Sequence, residues 1–97
     1  MTLRDRAIER EARLPDGRAA LVRVGLLPDP YVTRDEIDTV SVELTVDGRH
    51  AAFVDTVLDP EQDDAARELA DEIAVGLESG DLEPAASDIE PLADRPR

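Results

Sequence analysis

Ninety-seven residues carry 24 Asp+Glu against 11 basic residues, a net charge of −13, and every basic residue is Arg. That length supports one core, and with Tyr31 and Phe53 as the aromatics the core must be built of Val, Leu, Ile and Ala. Without Cys, and with His50 as the lone His, disulfides, thiolate chemistry and Cys-based zinc sites are excluded; no basic stripe favours nucleic acid or an anionic membrane.

The N-terminus, Met1-Thr2-Leu3-Arg4-Asp5-Arg6, has no apolar signal core, and no apolar run approaches a membrane span. A soluble protein at a cytoplasmic location is the expectation. The first structural signal is Leu14-Pro15-Asp16-Gly17. Pro presets φ at the second turn position, Asp tolerates the third, and Gly takes the left-handed fourth. It predicts a hairpin joining a strand over about 7–14, with Ile8, Ala12 and Leu14 inward, to one over 18–27 carrying Ala20, Val22, Val24 and Leu26. The first segment is rich in Arg, Glu, Ala and Leu, which favour helix. A helix over 2–12 is therefore the alternative; turn chemistry argues for the strand.

Between this hairpin and the next lies Pro28-Asp29-Pro30-Tyr31-Val32-Thr33-Arg34-Asp35-Glu36-Ile37. Two prolines end the preceding strand, and Thr33 with Glu36 matches a capping box. This loop is the candidate binding segment. Tyr31 offers an aromatic face, Arg34 a fork of donors, and Asp35 and Glu36 two carboxylates, on a connector of the kind that often carries function. A plain connector with one capped turn is the competing account.

Val40, Val42, Leu44 and Val46 alternate with polar residues up to Asp47-Gly48, the strongest short hairpin signal. A regular two-residue turn sets Leu44 opposite Ala51 and Val42 opposite Phe53 on the core face. It also sets Asp55 on that face, opposite Val40, and leaves Ala52 and Val54 on the solvent side. Both placements are flaws. Either a bulge intervenes, or Asp55 lies near the sheet end with a partner such as Arg10 or Arg23. Asp55 is a weak candidate for acid–base work. His50, on the solvent side beside the turn, is another weak candidate, with no nucleophile near it in sequence.

Asp59-Pro60-Glu61-Gln62 predicts a helix start with Asp59 as N-cap, and Ser79-Gly80 its stop. Ala66, Leu69, Ile73 and Leu77 form its apolar stripe. On the opposite face, Asp63, Asp64, Glu68, Asp71 and Glu72 face only Arg67 as counter-charge. Gly76 weakens the helix by about 1 kcal/mol relative to Ala, which a close helix–sheet approach would offset. From Asp81 onward the periodicity stops, and 81–97 reads as an extended or disordered acidic tail in which Ile89 and Leu92 are candidate pins.

These readings give an α+β fold: a four-stranded antiparallel meander of two β-hairpins with one C-terminal helix packed on one face, residues 1–80 forming a single domain. The alternative order is α-β-β-β-α. That order is similar in topology to the double-stranded-RNA-binding domain, without the basic residues such a domain sets on phosphates. No G-x-G-x-x-G, Walker or G-x-S-x-G sequence occurs. No catalytic residue, metal ligand set or cofactor is assigned.

The function expected is a small non-enzymatic accessory or interaction protein, a homodimer through the sheet or its edge, with another protein as a further partner. A ligand-binding or catalytic domain using the 28–37 loop is one alternative. An acidic nucleic-acid mimic that docks on a basic protein is the other. The acids are dispersed along the chain rather than blocked, which resembles the surfaces of proteins from microbes that accumulate salt.

Overall fold

The computed structural model describes residues 7–27 and 39–96. Four strands, β1 (Ile8–Arg13), β2 (Ala19–Gly25), β3 (Ser41–Val46) and β4 (Arg49–Asp55), form one open sheet in the order β1-β2-β3-β4, each pair antiparallel. This is the predicted α+β meander. Over 8–13 the turn overrides helix propensity. Leu14 C=O accepts the Gly17 N–H at 2.9 Å, Gly17 has φ 93°, and Leu14 N–H donates to Arg18 C=O at 2.9 Å. Closing this loop fixes a register in which Ala12 faces Ala20 and Arg10 faces Val22.

The second hairpin turns through Asp47 (φ 51°) and Gly48 (φ 80°), the positive-φ pair a type I′ turn demands. Asp47 also fastens the turn to β2: its N–H donates to Ala19 C=O at 2.8 Å, and its carboxylate accepts the Ala19 N–H at 3.0 Å. Past the turn the regular register fails. Thr45 pairs with His50 but Leu44 pairs with Ala52, so Ala51 is the extra residue of a β-bulge. The bulge corrects both flaws in the alternation. Ala52 and Val54 turn to the core beside Leu44 and Val42, and Phe53 and Asp55 turn to the other face. A one-residue shift flips every later side chain, and here it exchanges an exposed apolar pair for a buried one.

The long helix is α1 (Asp63–Ser79), and its buried stripe is Ala66, Leu69, Ala70, Ile73, Ala74 and Leu77. It starts later than predicted. Gln62 Oε1 does accept the Asp59 N–H at 2.8 Å, half of a capping box, but Gln62 N–H bonds Asp59 C=O at 3.0 Å and closes a separate turn; Gln62 is the N-cap. At the other end Gly80 (φ 83°) takes the left-handed position and donates to Leu77 C=O at 3.4 Å. Gly76 is crowded by Leu82, not by the sheet as expected: a Cβ there would lie 2.4 Å from Leu82 Cδ1.

Where an extended tail was expected, the chain forms α2 (Ala86–Ala93), with Pro91 inside it. Ile89 is fully buried and Ala93 nearly so, in the same apolar cluster as α1 and the inner sheet face. α1 packs on β1 and β2, α2 on β4, and the helices touch. Val57 N–H to Ala93 C=O (3.4 Å) ties the end of α2 to the chain leaving β4. The acidic face of α1 is likewise better offset than its own sequence indicates. Arg67 pairs with Asp63 and Asp64, Arg10 of β1 reaches Asp71 at 2.6 Å, and Arg95, beyond α2, pairs with Glu72.

Candidate functional site

Both described helices lie on one face, and no described helix or strand covers the other, although at its Gly25–Ser41–Asp55 end Ala7 lies close against Gly25 and Ser41 is 4% exposed. Its side chains follow from the register. One row across the sheet is Glu9, Arg23, Glu43, Phe53; the next is Glu11, Leu21, Thr45, His50. Arg23 sits between two carboxylates. Its Nη1 donates to Glu43 Oε1 at 3.1 Å, and its Nε lies 3.4 Å from Glu9 Oε2, shielded from solvent and without an aligned hydrogen bond. At the end of this row Phe53 stays 39% exposed, the one large aromatic among the described residues. Leu21 is half-buried between the rows' polar groups.

Both edges of the sheet carry features that discourage strand addition. On β1, Arg10 is placed on the inner face at the rim, where it is held by Asp71, and Glu9, Glu11 and Arg13 alternate along the outer side. On β4 the bulge at Ala51 interrupts the ladder. Among the described residues, by contrast, nothing guards the face against an apolar contact at Phe53 and Leu21.

At the turn end of the sheet is an open depression of about 400 Å³, lined by Glu11, Arg13, Leu21, Thr45, Asp47 and Glu78 among others. Arg13 Nη1 is engaged there with Gly17 C=O at 2.7 Å. Among the described residues no group of three or more His, Asp or Glu is arranged to hold a metal ion, and no helix is long and apolar enough to cross a membrane.

Of the residues singled out by sequence, Tyr31, Arg34, Asp35 and Glu36 lie outside the described residues, as does the Thr33–Glu36 capping box. His50 is exposed opposite Thr45, on the outer face. Asp55 is not on the core face and pairs with neither Arg10 nor Arg23. It accepts the Ser41 hydroxyl at 2.9 Å on the outer side, and Ser41 is 4% exposed. The sequence places Phe53 on the core face and offers Arg23 only as a partner for Asp55, and nothing in it marks Glu43; the structure turns Phe53 outward and pairs Arg23 with Glu9 and Glu43. The misfit of Asp55, Ala52 and Val54 was the available signal that the face is composed differently. Comparison of the chain with protein-family models, curated proteins and solved structures gives no match.

Proposed function

We propose that this protein is a small non-enzymatic accessory protein that works by docking, through the outer face of its sheet, onto a protein surface. The observation that carries the reading is the one-sided architecture of the described residues: their two helices pack on one face, while the other presents Phe53 and Leu21 around an Arg23 already matched by Glu9 and Glu43. Internally matched charge with an exposed aromatic suits association, because the ions need no new partner when water is removed and the ring supplies apolar area. Guarded edges point to the face rather than to an added strand.

The test is recovery of bound protein from cells that make this chain, using the wild-type protein and the Leu21→Lys/Phe53→Lys double variant as baits. The expected result is loss of the recovered partner with the variant, on the order of tenfold or more for a central aromatic anchor, while circular dichroism is unchanged. Equal recovery by both baits refutes the face as the docking surface.

A further inference from the structure

Resting on the docking reading just given, we propose that the occupant of the outer face is a second copy of this chain, stacked face to face about a two-fold axis running parallel to the strands between β2 and β3. Such an axis keeps each cross-sheet row level and lays β2 of one copy over β3 of the other. The row Glu9, Arg23, Glu43, Phe53 then meets itself reversed. Arg23 stands over the partner's Glu43, and Glu43 over the partner's Arg23, at the centre of the contact. Leu21 stands over the partner's Thr45, and Glu9 beneath the partner's Phe53, whose ring covers its stem.

The competing axis, across the strands, superposes β1 on the partner's β1 and brings Glu9 against the partner's Glu11. That arrangement stacks like charges where the first matches unlike ones, and like-charge apposition is costly. Aligned sheets pack about 10 Å apart with a twist of about 30°. An opposed Arg and Glu together span such a gap. The twist leaves the central Arg23–Glu43 contacts in place and moves the corners apart, so these two residues set the pairing.

Size fixes the strength. Strands of six and seven residues at about 3.3 Å per residue, four of them about 4.8 Å apart, make a face roughly 20 Å on a side. In plan this is at most about 400 Å², because the Gly25–Ser41 end of the face is already buried within the chain, and it lies well below the ~800 Å² per partner of a standard interface. Each copy also brings a net charge of −13. The dimer is therefore weak, concentration-dependent and promoted by salt, which screens the long-range repulsion more than the shielded central pairs.

The experiment is sedimentation equilibrium from micromolar to millimolar protein in molar KCl, on the wild type, Arg23→Glu, Glu43→Arg and an equimolar mixture of the two variants. The expected result is an average mass rising with concentration from 10.6 kDa toward twice that value for the wild type. Each variant alone stays monomeric, because like charges now meet at the centre. The mixture associates again, because the two central carboxylates of one variant meet the two central guanidinium groups of the other. Recovery in the mixture also shows that both variants fold. A wild type that stays at monomer mass throughout overturns self-pairing, as do single variants that dimerise like the wild type or a mixture that stays monomeric. A monomeric wild type overturns self-pairing alone and leaves the docking reading standing, since the Leu21→Lys/Phe53→Lys bait reads loss of any protein bound to this face, a second copy of the chain included.

Discussion

Asp16 illustrates how much a single turn residue is asked to do. Its carboxylate accepts the Arg18 N–H at 3.0 Å and the Arg18 Nε–H at 2.6 Å. The backbone hydrogen bond from Arg18 is the main reason its pKa falls below the ordinary 3.8; desolvation opposes this, and the Arg18 side chain adds to it. A folded pKa below the unfolded one stabilises the fold above pH 3.8, and that contribution fades as the pH drops through the folded value. Carboxyl NMR titration will place the Asp16 midpoint below 3.8. In Arg18→Ala the midpoint will move only part of the way back, since the backbone donor remains. A complete return would mean that the side chain, not the peptide group, holds the carboxylate. Gly76 makes the second case. Gly→Ala inside a helix ordinarily stabilises by about 1 kcal/mol, but the new Cβ would meet Leu82 Cδ1 at 2.4 Å and Cγ at 2.6 Å. Chemical denaturation of the double-mutant cycle will show Gly76→Ala gaining little or losing stability in the wild type. In the Leu82→Ala background it will recover the gain of about 1 kcal/mol. Equal effects in both backgrounds would contradict the contact.

Among the elements, α2 depends most on its surroundings. Eight residues are too few for an isolated helix, and Pro91 removes one internal hydrogen bond. What sustains it is burial of Ile89 and Ala93 against the cluster that α1 shares. Ile89→Ala will therefore cost about 2–5 kcal/mol in urea unfolding, as for a fully buried aliphatic side chain. Truncation after Gly80 will destabilise the rest by at least as much. An unchanged midpoint for either would return 81–96 to the status of a tail. The contrast between α2 and the strands shows which structure is written locally. Asp47-Gly48 and Pro15-Asp16-Gly17 specify their turns through φ values that few other residues adopt, and alternation in β2 and β3 sets which side faces the helices, so these elements were legible. The stripe of α1 was legible for the same reason: its period is its own. The bulge was half legible. Asp55 fell on the apolar side and Val54 on the solvent side, yet which residue is looped out depends on what α1 and α2 cover. α2 left almost no local trace, because three prolines and the spacing of Ile89 and Ala93 acquire helical meaning only against a preformed core. For the candidate face the same limit applies: Phe53 is turned outward by the bulge, so a regular register hides it. The loop residues Tyr31 to Glu36 rested on composition, which gives no geometry.

For the whole molecule the question is what the net charge does to the fold. With a radius of gyration of 12.6 Å, the folded chain approximates a sphere of about 16 Å radius, against about 31 Å for the radius of gyration of the unfolded chain. Spreading 13 excess charges over each, in water at ~0.1 M salt, leaves the folded state less favourable by about 5–6 kcal/mol. At ~1 M, where the screening length shrinks from about 10 to about 3 Å, the difference falls to about 2–3 kcal/mol. Salt also weakens the ion pairs seen on the surface, such as Arg10–Asp71 and Arg18–Asp16. Exposed pairs of this kind are each worth about 0–1 kcal/mol and only part of that is screened away. Relief of repulsion is the larger effect. Thermal unfolding by circular dichroism, at protein concentrations low enough to hold the monomer, will therefore show the midpoint rising by roughly 10–20 °C between ~0.1 and ~1 M KCl, since about 1 kcal/mol moves a domain of this size by ~4–8 °C. A midpoint that falls with salt would mean that specific ion pairs outweigh self-repulsion, and the acidic excess would then have to be explained by a basic partner rather than by the solvent.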